Sequence, residues 1–359
     1  MVKKARINKA LDRDLKTRTF FEKAQIETKK QYWAPSLGLV FIIFTGLSVS
    51  IFFGFESNSI IIMAAAAIGA YMALNIGAND VANNVGPAVG SKALSMFGAL
   101  LIAAVFECAG ALIAGGDVIG TISKGIIDPS FISDSSIFVL AMFAALISAA
   151  IWINLATVIG APVSTTHSIV GGVLGAGLIA AGTEAVNWYK MSQIAASWVI
   201  SPVLGAIIAA LFLWFIKTMV SDQKDKIKSA RRWVPLLIAI MAGAFSTYLC
   251  LKGLKKVIRM DMQFAGLIGI LVLISCYFIV YPLIKKQSEG MENTKKSVRD
   301  LFKIPLVFAA ALLSFAHGAN DVANAVGPLA AIVHTVNEGE IVSKVSIPIW
   351  VMAIGAFGL

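Results

Sequence analysis

Runs of about twenty apolar residues recur along this 359-residue chain, with short charged segments between them. A helix of that length can cross a bilayer, and helices satisfy their own backbone polar groups in hydrocarbon. With 58% hydrophobic and only 14% charged residues, the composition excludes an ordinary soluble domain. The alternating pattern of an outer-membrane barrel is absent. The sequence therefore predicts an all-α, polytopic helical membrane protein.

The net charge of +10 is concentrated in three segments rather than spread over a surface. The local balances are +6 in residues 1–33, +4 in 217–232 and +3 in 285–303. Such basic loops mark the cytoplasmic side of a membrane protein. We therefore expect a multi-pass protein of the inner (plasma) membrane with a cytoplasmic N-terminus. Its charged partner is then the lipid bilayer, and no nucleic acid is expected.

The same charge pattern divides the chain into six parts. They are a basic cytoplasmic arm (1–33), an additional first span with a short outside loop (34–59), a first repeat (60–216), a basic cytoplasmic linker (217–232), a transmembrane pair with a second basic cytoplasmic loop (233–303), and the start of a second inverted repeat (304–359).

An eleven-residue motif occurs twice. GANDVANNVGP, Gly77–Pro87, returns as GANDVANAVGP, Gly318–Pro328. The predicted topology makes the first copy run inward and the second outward, which predicts inverted-topology repeats. Because glycine and proline disfavour a continuous helix, each copy is also expected to break its helix into two half-helices near the midplane.

Three acidic residues lie within the predicted spans: Asp80, Glu107 and Asp321. Carboxylates at this depth are costly and are usually functional, and an acid-only interior suits cations or protons. We predict that Asp80 and Asp321 form a cation site, to which Na⁺ and a proton are both suited. The alternative is protonated carboxyl groups that are hydrogen-bonded for structural reasons, and for Glu107 the two interpretations are equally open.

Asparagines accompany both aspartates at helical spacing, so the side chains of each copy can converge on one face. Their oxygens are hard ligands for a small cation, although capping of loose backbone groups would also explain them. The predicted cation-binding set is Asn79, Asp80, Asn83, Asn320, Asp321 and Asn324.

The segment Pro162–His167, PVSTTH, has a different chemistry. Proline favours a helix start, and three hydroxyls follow among the unpaired amides of the first turn, which is an anion-binding arrangement. An ordinary N-cap needs only one hydroxyl. We predict anion binding by Ser164, Thr165 and Thr166. His167 is a candidate for coupling or gating, and a structural role is equally open for it.

Enzyme motifs are missing from the sequence. There is no Walker A loop, GxSxG elbow or HExxH pair, so we expect neither an enzyme nor a cofactor.

The two GANDVAN copies and PVSTTH resemble the PiT-type inorganic phosphate transporter family. The resemblance implies symport of inorganic phosphate with Na⁺ or H⁺, in some bacterial members as a neutral metal-phosphate complex, and it suggests a homodimer. It also implies a role in transport for Glu107. It places cation ligands at Asn79, Asp80, Asn320 and Asp321, supported by Asn83 and Asn324, and phosphate at Ser164, Thr165 and Thr166.

One departure from the family pattern concerns its second PVSTTH-like segment, which does not follow Asp321 here. A faithful repeat would place it near residue 403, about 82 residues after Asp321 as in the first half. The sequence therefore predicts that half of the anion cradle is not in this chain. Transport of another oxyanion such as sulfate, or an ion channel, stays open as an alternative.

Overall fold

The computed structural model describes residues 33–51, 53–54, 57–115, 125–132, 134–253, 260–341 and 347–359. Apart from Trp33, the predicted basic arm lies outside these ranges. Eight of the described helices are long and apolar enough to cross a membrane. The prediction of an all-α, multi-pass membrane protein is thus confirmed.

Eleven α-helices are described, and we number them in chain order. They are α1 Trp33–Ile51, α2 Ser57–Gly90, α3 Met96–Ala114, α4 Ser135–Val158, α5 Thr165–Ala181, α6 Trp188–Ile216, α7 Lys226–Tyr248, α8 Met262–Gln287, α9 Lys295–Leu301, α10 Lys303–Glu338 and α11 Ile349–Gly358.

The core is built around α10, which packs against α2, α3 and α4. Small side chains allow these helices to approach closely, as is typical of helix pairs in membranes. On α2, for example, Ala65, Ala66, Ala70 and Ala73 are completely buried. Helices α7 and α8 form a second unit by packing against each other. The two motifs therefore lie in helices that pack against each other in the core.

The helices α2 and α10 run in opposite directions. Gly69 of α2 lies against Leu329 of α10, whereas Asp80, further along α2, lies beside His317, which comes earlier in α10. The predicted opposite orientation of the two motifs requires this arrangement. The inverted repeat itself stays a prediction.

The expected helix breaks at the motifs were wrong. Both motif helices continue through their prolines, Pro87 in α2 and Pro328 in α10. Proline removes a single N–H, and membrane helices tolerate it where packed neighbours hold the chain. The interruption lies instead between the end of α4 and the start of α5, in residues 159–164. We call these residues, together with the last two residues of α4 (157–158), the α4–α5 junction. Gly160 adopts a positive φ of 71° there.

Helix α6 differs from the others because it has no buried residue. Large apolar side chains such as Val199, Leu211 and Trp214 are exposed along its length. Such a surface is expected for a helix surrounded by lipid, where exposure of apolar side chains carries no penalty.

Candidate functional site

Three carboxylates surround one imidazole where α2, α3 and α10 meet. The Nε2 atom of His317 lies 2.6 Å from Asp321 Oδ2 and 3.7 Å from Asp80 Oδ2. Its Nδ1 atom lies 3.4 Å from Glu107 Oε1. We call these four residues the His317 cluster. The structure thus brings together all three intramembrane acids that the sequence singled out.

Helix geometry and close helix packing explain this convergence. His317 and Asp321 are four residues apart on α10, so they share a face. Glu107 reaches His317 because α3 and α10 touch backbone to backbone. A Cβ atom added to Gly318 would overlap the backbone of Glu107, and one added to Gly110 would overlap the backbone of Phe315. Two glycines therefore set the distance at which Glu107 meets the imidazole.

The His317 cluster is deeply buried and poor in positive charge. Asp80, Glu107 and Asp321 are 9%, 1% and 4% exposed, and the single imidazole is charged only when it is protonated. Among the described residues, neither imidazole nitrogen nor Glu107 Oε2 makes a hydrogen bond of good geometry. These distances correspond to ion pairs only when the imidazole is protonated. Because buried charge without compensation is costly, the cluster requires a cation or protons.

One ligand atom each from Asp80, His317 and Asp321 lies within 4.8 Å of the others. This spacing is compact enough for the three atoms to share one ion. Carboxylate oxygens suit hard cations such as sodium, and an imidazole can add a further ligand or occupy the place of the cation when protonated.

Asn84 holds Glu107 in position from α2. Its Nδ2 donates to Glu107 Oε1 at 2.9 Å, and the side chain is buried. This is the single position at which the two motifs differ, because the second copy has Ala325. The difference therefore gives the first motif an additional contact with the His317 cluster.

Asn324 links the predicted cation ligands to the predicted anion ligands. Its Nδ2 lies 2.8 Å from Asp321 Oδ1, 3.0 Å from Thr166 Oγ1 and 3.3 Å from Thr165 Oγ1. The side chains of Asn324 and Thr165 are both buried. Consequently, a single side chain, that of Asn324, connects the first turn of α5 to the His317 cluster.

Ser164 is the N-cap of α5, and its Oγ accepts a hydrogen bond from the His167 N–H at 3.2 Å. The side chain of Ser164 is exposed, whereas that of Thr165 is buried. The first turn of a helix carries unpaired amides and a partial positive charge, which favour an anion. Here the Ser164 hydroxyl serves as the N-cap, and the hydroxyls of Thr165 and Thr166 contact Asn324.

The remaining predicted residues lie around this centre. Asn320 Nδ2 is 3.3 Å from Asp321 Oδ1, whereas Asn83 is exposed. The ring of His167 lies 4.0 Å from that of Trp198 on α6. The carboxamide of Asn79 bonds to the α4–α5 junction, and among the described residues none of its side-chain hydrogen bonds is with the His317 cluster. The functional assignments of these four residues stay predictions.

His317 was missed in the sequence, although it directly precedes the second motif. The first motif has Ile76 at the corresponding place, so a comparison of the two copies stops at Gly318. The four-residue spacing between His317 and Asp321 was the available signal.

A family model described as the phosphate transporter family matches residues 76–359 of the chain. The chain belongs to the phosphate transporter family. Membership confirms the resemblance found in the motifs and the assignment to a class of transporters rather than enzymes.

Relatives of known sequence agree with this family. A Helicobacter pylori protein named "Putative phosphate permease" is 49% identical over 344 residues, which cover 94% of this chain and 64% of that protein. A Pyrococcus abyssi protein that is also named "Putative phosphate permease" is 40% identical over 294 residues, which cover 81% of this chain and 71% of that protein. The chain therefore spans 64% of the length of its Helicobacter pylori relative.

A solved structure titled "The sodium-dependent phosphate transporter" has a similar fold. The TM-score is 0.77 at 37% sequence identity, and the match covers 83% of this chain and 73% of that one. This phosphate transporter family chain thus shares both sequence and helix arrangement with a solved member.

Proposed function

We propose that the protein moves inorganic phosphate across the membrane by symport with a cation. The observation that carries this proposal is the contact of Asn324 with Asp321 on one side and with Thr165 and Thr166 on the other. It joins a buried group of carboxylates to hydroxyls at a helix N-terminus, so a cation and an oxyanion can lie side by side. Family membership supports phosphate as that oxyanion.

In this proposal, Asp80 and Asp321 bind the cation, and Asn320 and Asn324 support them. Phosphate is held by Ser164, Thr165 and Thr166 together with the free amides at the start of α5. The positive charge of the cation offsets the negative charge of the phosphate in a medium where charge is poorly screened. Binding of both ions then permits the two inverted repeats to move around the shared site.

Sodium is the proposed coupling ion, because a solved relative is named sodium-dependent and oxygen ligands suit a hard cation. Proton coupling and transport of a metal-phosphate complex are the competing forms of the same mechanism. The protein acts in the plasma membrane as a homodimer with its N-terminus in the cytoplasm, as the loop charges and the family resemblance suggest.

Uptake of labelled phosphate into proteoliposomes containing the full-length protein tests this proposal. An inward sodium gradient is expected to drive saturable accumulation of phosphate, and a proton gradient imposed without sodium is not. Accumulation driven by protons alone would show that protons, rather than sodium, are the coupling ion. Uptake that needs neither gradient would overturn symport. Competition by sulfate for uptake would show that the hydroxyl site recognises other oxyanions.

A further inference from the structure

The side chain of Asn79 is bonded to the α4–α5 junction on both its donor and acceptor sides. Its Nδ2 donates to Thr157 Oγ1 at 2.9 Å and to the Ala161 carbonyl at 3.2 Å. Its Oδ1 accepts from the Val163 N–H at 3.3 Å. A carboxamide has two N–H donors, and here each has its own acceptor.

The partner at Thr157 is arranged to receive this bond. The Thr157 hydroxyl donates its only proton to the Ile153 carbonyl at 2.8 Å, which leaves its oxygen free to accept from Asn79. The directions of the hydrogen bonds are therefore consistent along the series from Asn79 through Thr157 to Ile153.

The backbone of the α4–α5 junction needs such a partner. Ala161 and Val163 flank Pro162, which has no N–H and prevents regular helix bonding there. Irregular backbone at membrane depth is tolerated only where the protein satisfies its polar groups. Asn79 binds one backbone group on each side of this proline.

The corresponding residue in the second motif has different surroundings. Among the described residues, Asn320 makes one side-chain hydrogen bond, to Asp321 Oδ1. Two asparagines that occupy the same motif position thus have different partners: one bonds to the α4–α5 junction, and the other bonds to a carboxylate of the His317 cluster.

We propose that Asn79 is a positioning residue, which fixes the start of α5 relative to Asp80, and that it does not act as a ligand of the cation. The proposal rests on the proposed function in so far as the start of α5 binds phosphate. Because Asn79 and Asp80 are adjacent in α2, the segment that carries the cation ligand also fixes the anion-binding turn.

The kinetic test separates phosphate affinity from sodium affinity. In Asn79→Ala, the KM for phosphate at saturating sodium is expected to rise about tenfold, equivalent to about 1.4 kcal/mol. The half-saturating sodium concentration at saturating phosphate should stay unchanged. Asn320→Ala is the matched control, and it should change the sodium value instead.

A second variant tests the route through the α4–α5 junction. Thr157→Val removes the acceptor hydroxyl while keeping the shape of the side chain, and it should raise the phosphate KM in the same direction. The double variant should be no worse than Asn79→Ala alone, because both changes break one set of contacts. A changed sodium value in Asn79→Ala, together with a silent Thr157→Val, would overturn the proposal in favour of a cation ligand.

Hydrogen exchange provides a readout that needs no transport. In the purified full-length protein, a peptide covering residues 160–168 should exchange faster in Asn79→Ala than in the wild type, because the Val163 amide loses its acceptor. The same peptide should be unaffected in Asn320→Ala. Unchanged exchange in Asn79→Ala would refute the positioning role, whereas faster exchange with no phosphate uptake by the wild type would refute only the proposed function. If Asn79→Ala does not fold, the phosphate KM and the hydrogen exchange of Thr157→Val decide whether the positioning role holds.

Discussion

Replacing Asp321 or Asp80 with asparagine is expected to abolish phosphate uptake while leaving the protein inserted and folded. Both side chains are buried, and both face the imidazole of His317. Removing one partner of a buried charge pair costs about 2–5 kcal/mol, which corresponds to a loss of about 30-fold to several thousand-fold in cation affinity. Asparagine keeps the size of the side chain, so packing should survive.

Uptake into proteoliposomes at several sodium concentrations measures this loss, and a thermal melt of each purified variant confirms the fold. Asp134→Asn is the matched control. Asp134 caps α4 by accepting from the Ser136 N–H, and asparagine caps a helix equally well. Normal uptake by either Asp321→Asn or Asp80→Asn would remove the cation site from the proposed mechanism.

The second large effect is expected from Gly318→Ala, which should destabilise the protein and displace Glu107 from the His317 cluster. An added Cβ would overlap the backbone of Glu107, so α3 and α10 would have to separate. Overpacking of a closely packed core costs about 1–3 kcal/mol, and here the neighbour is backbone, which cannot rotate away. The thermal midpoint in detergent and the yield of monodisperse protein should both fall.

Gly86→Ala is the control, because it makes the same change within the first motif. Among the described residues, a Cβ at Gly86 meets nothing within 4 Å. Alanine also favours a helix over glycine by about 1 kcal/mol, so stability should stay the same or increase. Equal stability of the wild type and Gly318→Ala would show that α3 and α10 do not touch as described.

The sequence indicated several of the residues that meet at the candidate site, but not how they are arranged. Repeated polar residues in apolar helices indicated Asp80 and Asp321, and the hydroxyls of PVSTTH indicated the start of α5. Each of these signals is local, because it depends on residue type and spacing within one helix. For that reason the eight apolar helices, too, could be predicted from hydropathy.

The parts that the sequence did not reveal depend on contacts between distant segments. Glu107 and His317 are 210 positions apart, and their pairing follows from the close approach of α3 and α10. The predicted helix breaks were wrong because proline and glycine determine only a local preference against helix, whereas tertiary packing decides whether a helix continues. Asn79 could be recognised as polar from the sequence, but its partners lie on another helix.

The side-chain amide of Asn324 has fewer hydrogens to donate than it has acceptor oxygens nearby. Its Nδ2 carries two hydrogens and faces three oxygens, on Asp321, Thr165 and Thr166, so one oxygen always lacks a full hydrogen bond. In the proposed mechanism, a cation bound to Asp321 would free a hydrogen of Asn324 to bond to a threonine hydroxyl oxygen. The hydrogen of that hydroxyl would then be available to a bound phosphate. The single carboxamide of Asn324 would thus connect cation binding with phosphate binding.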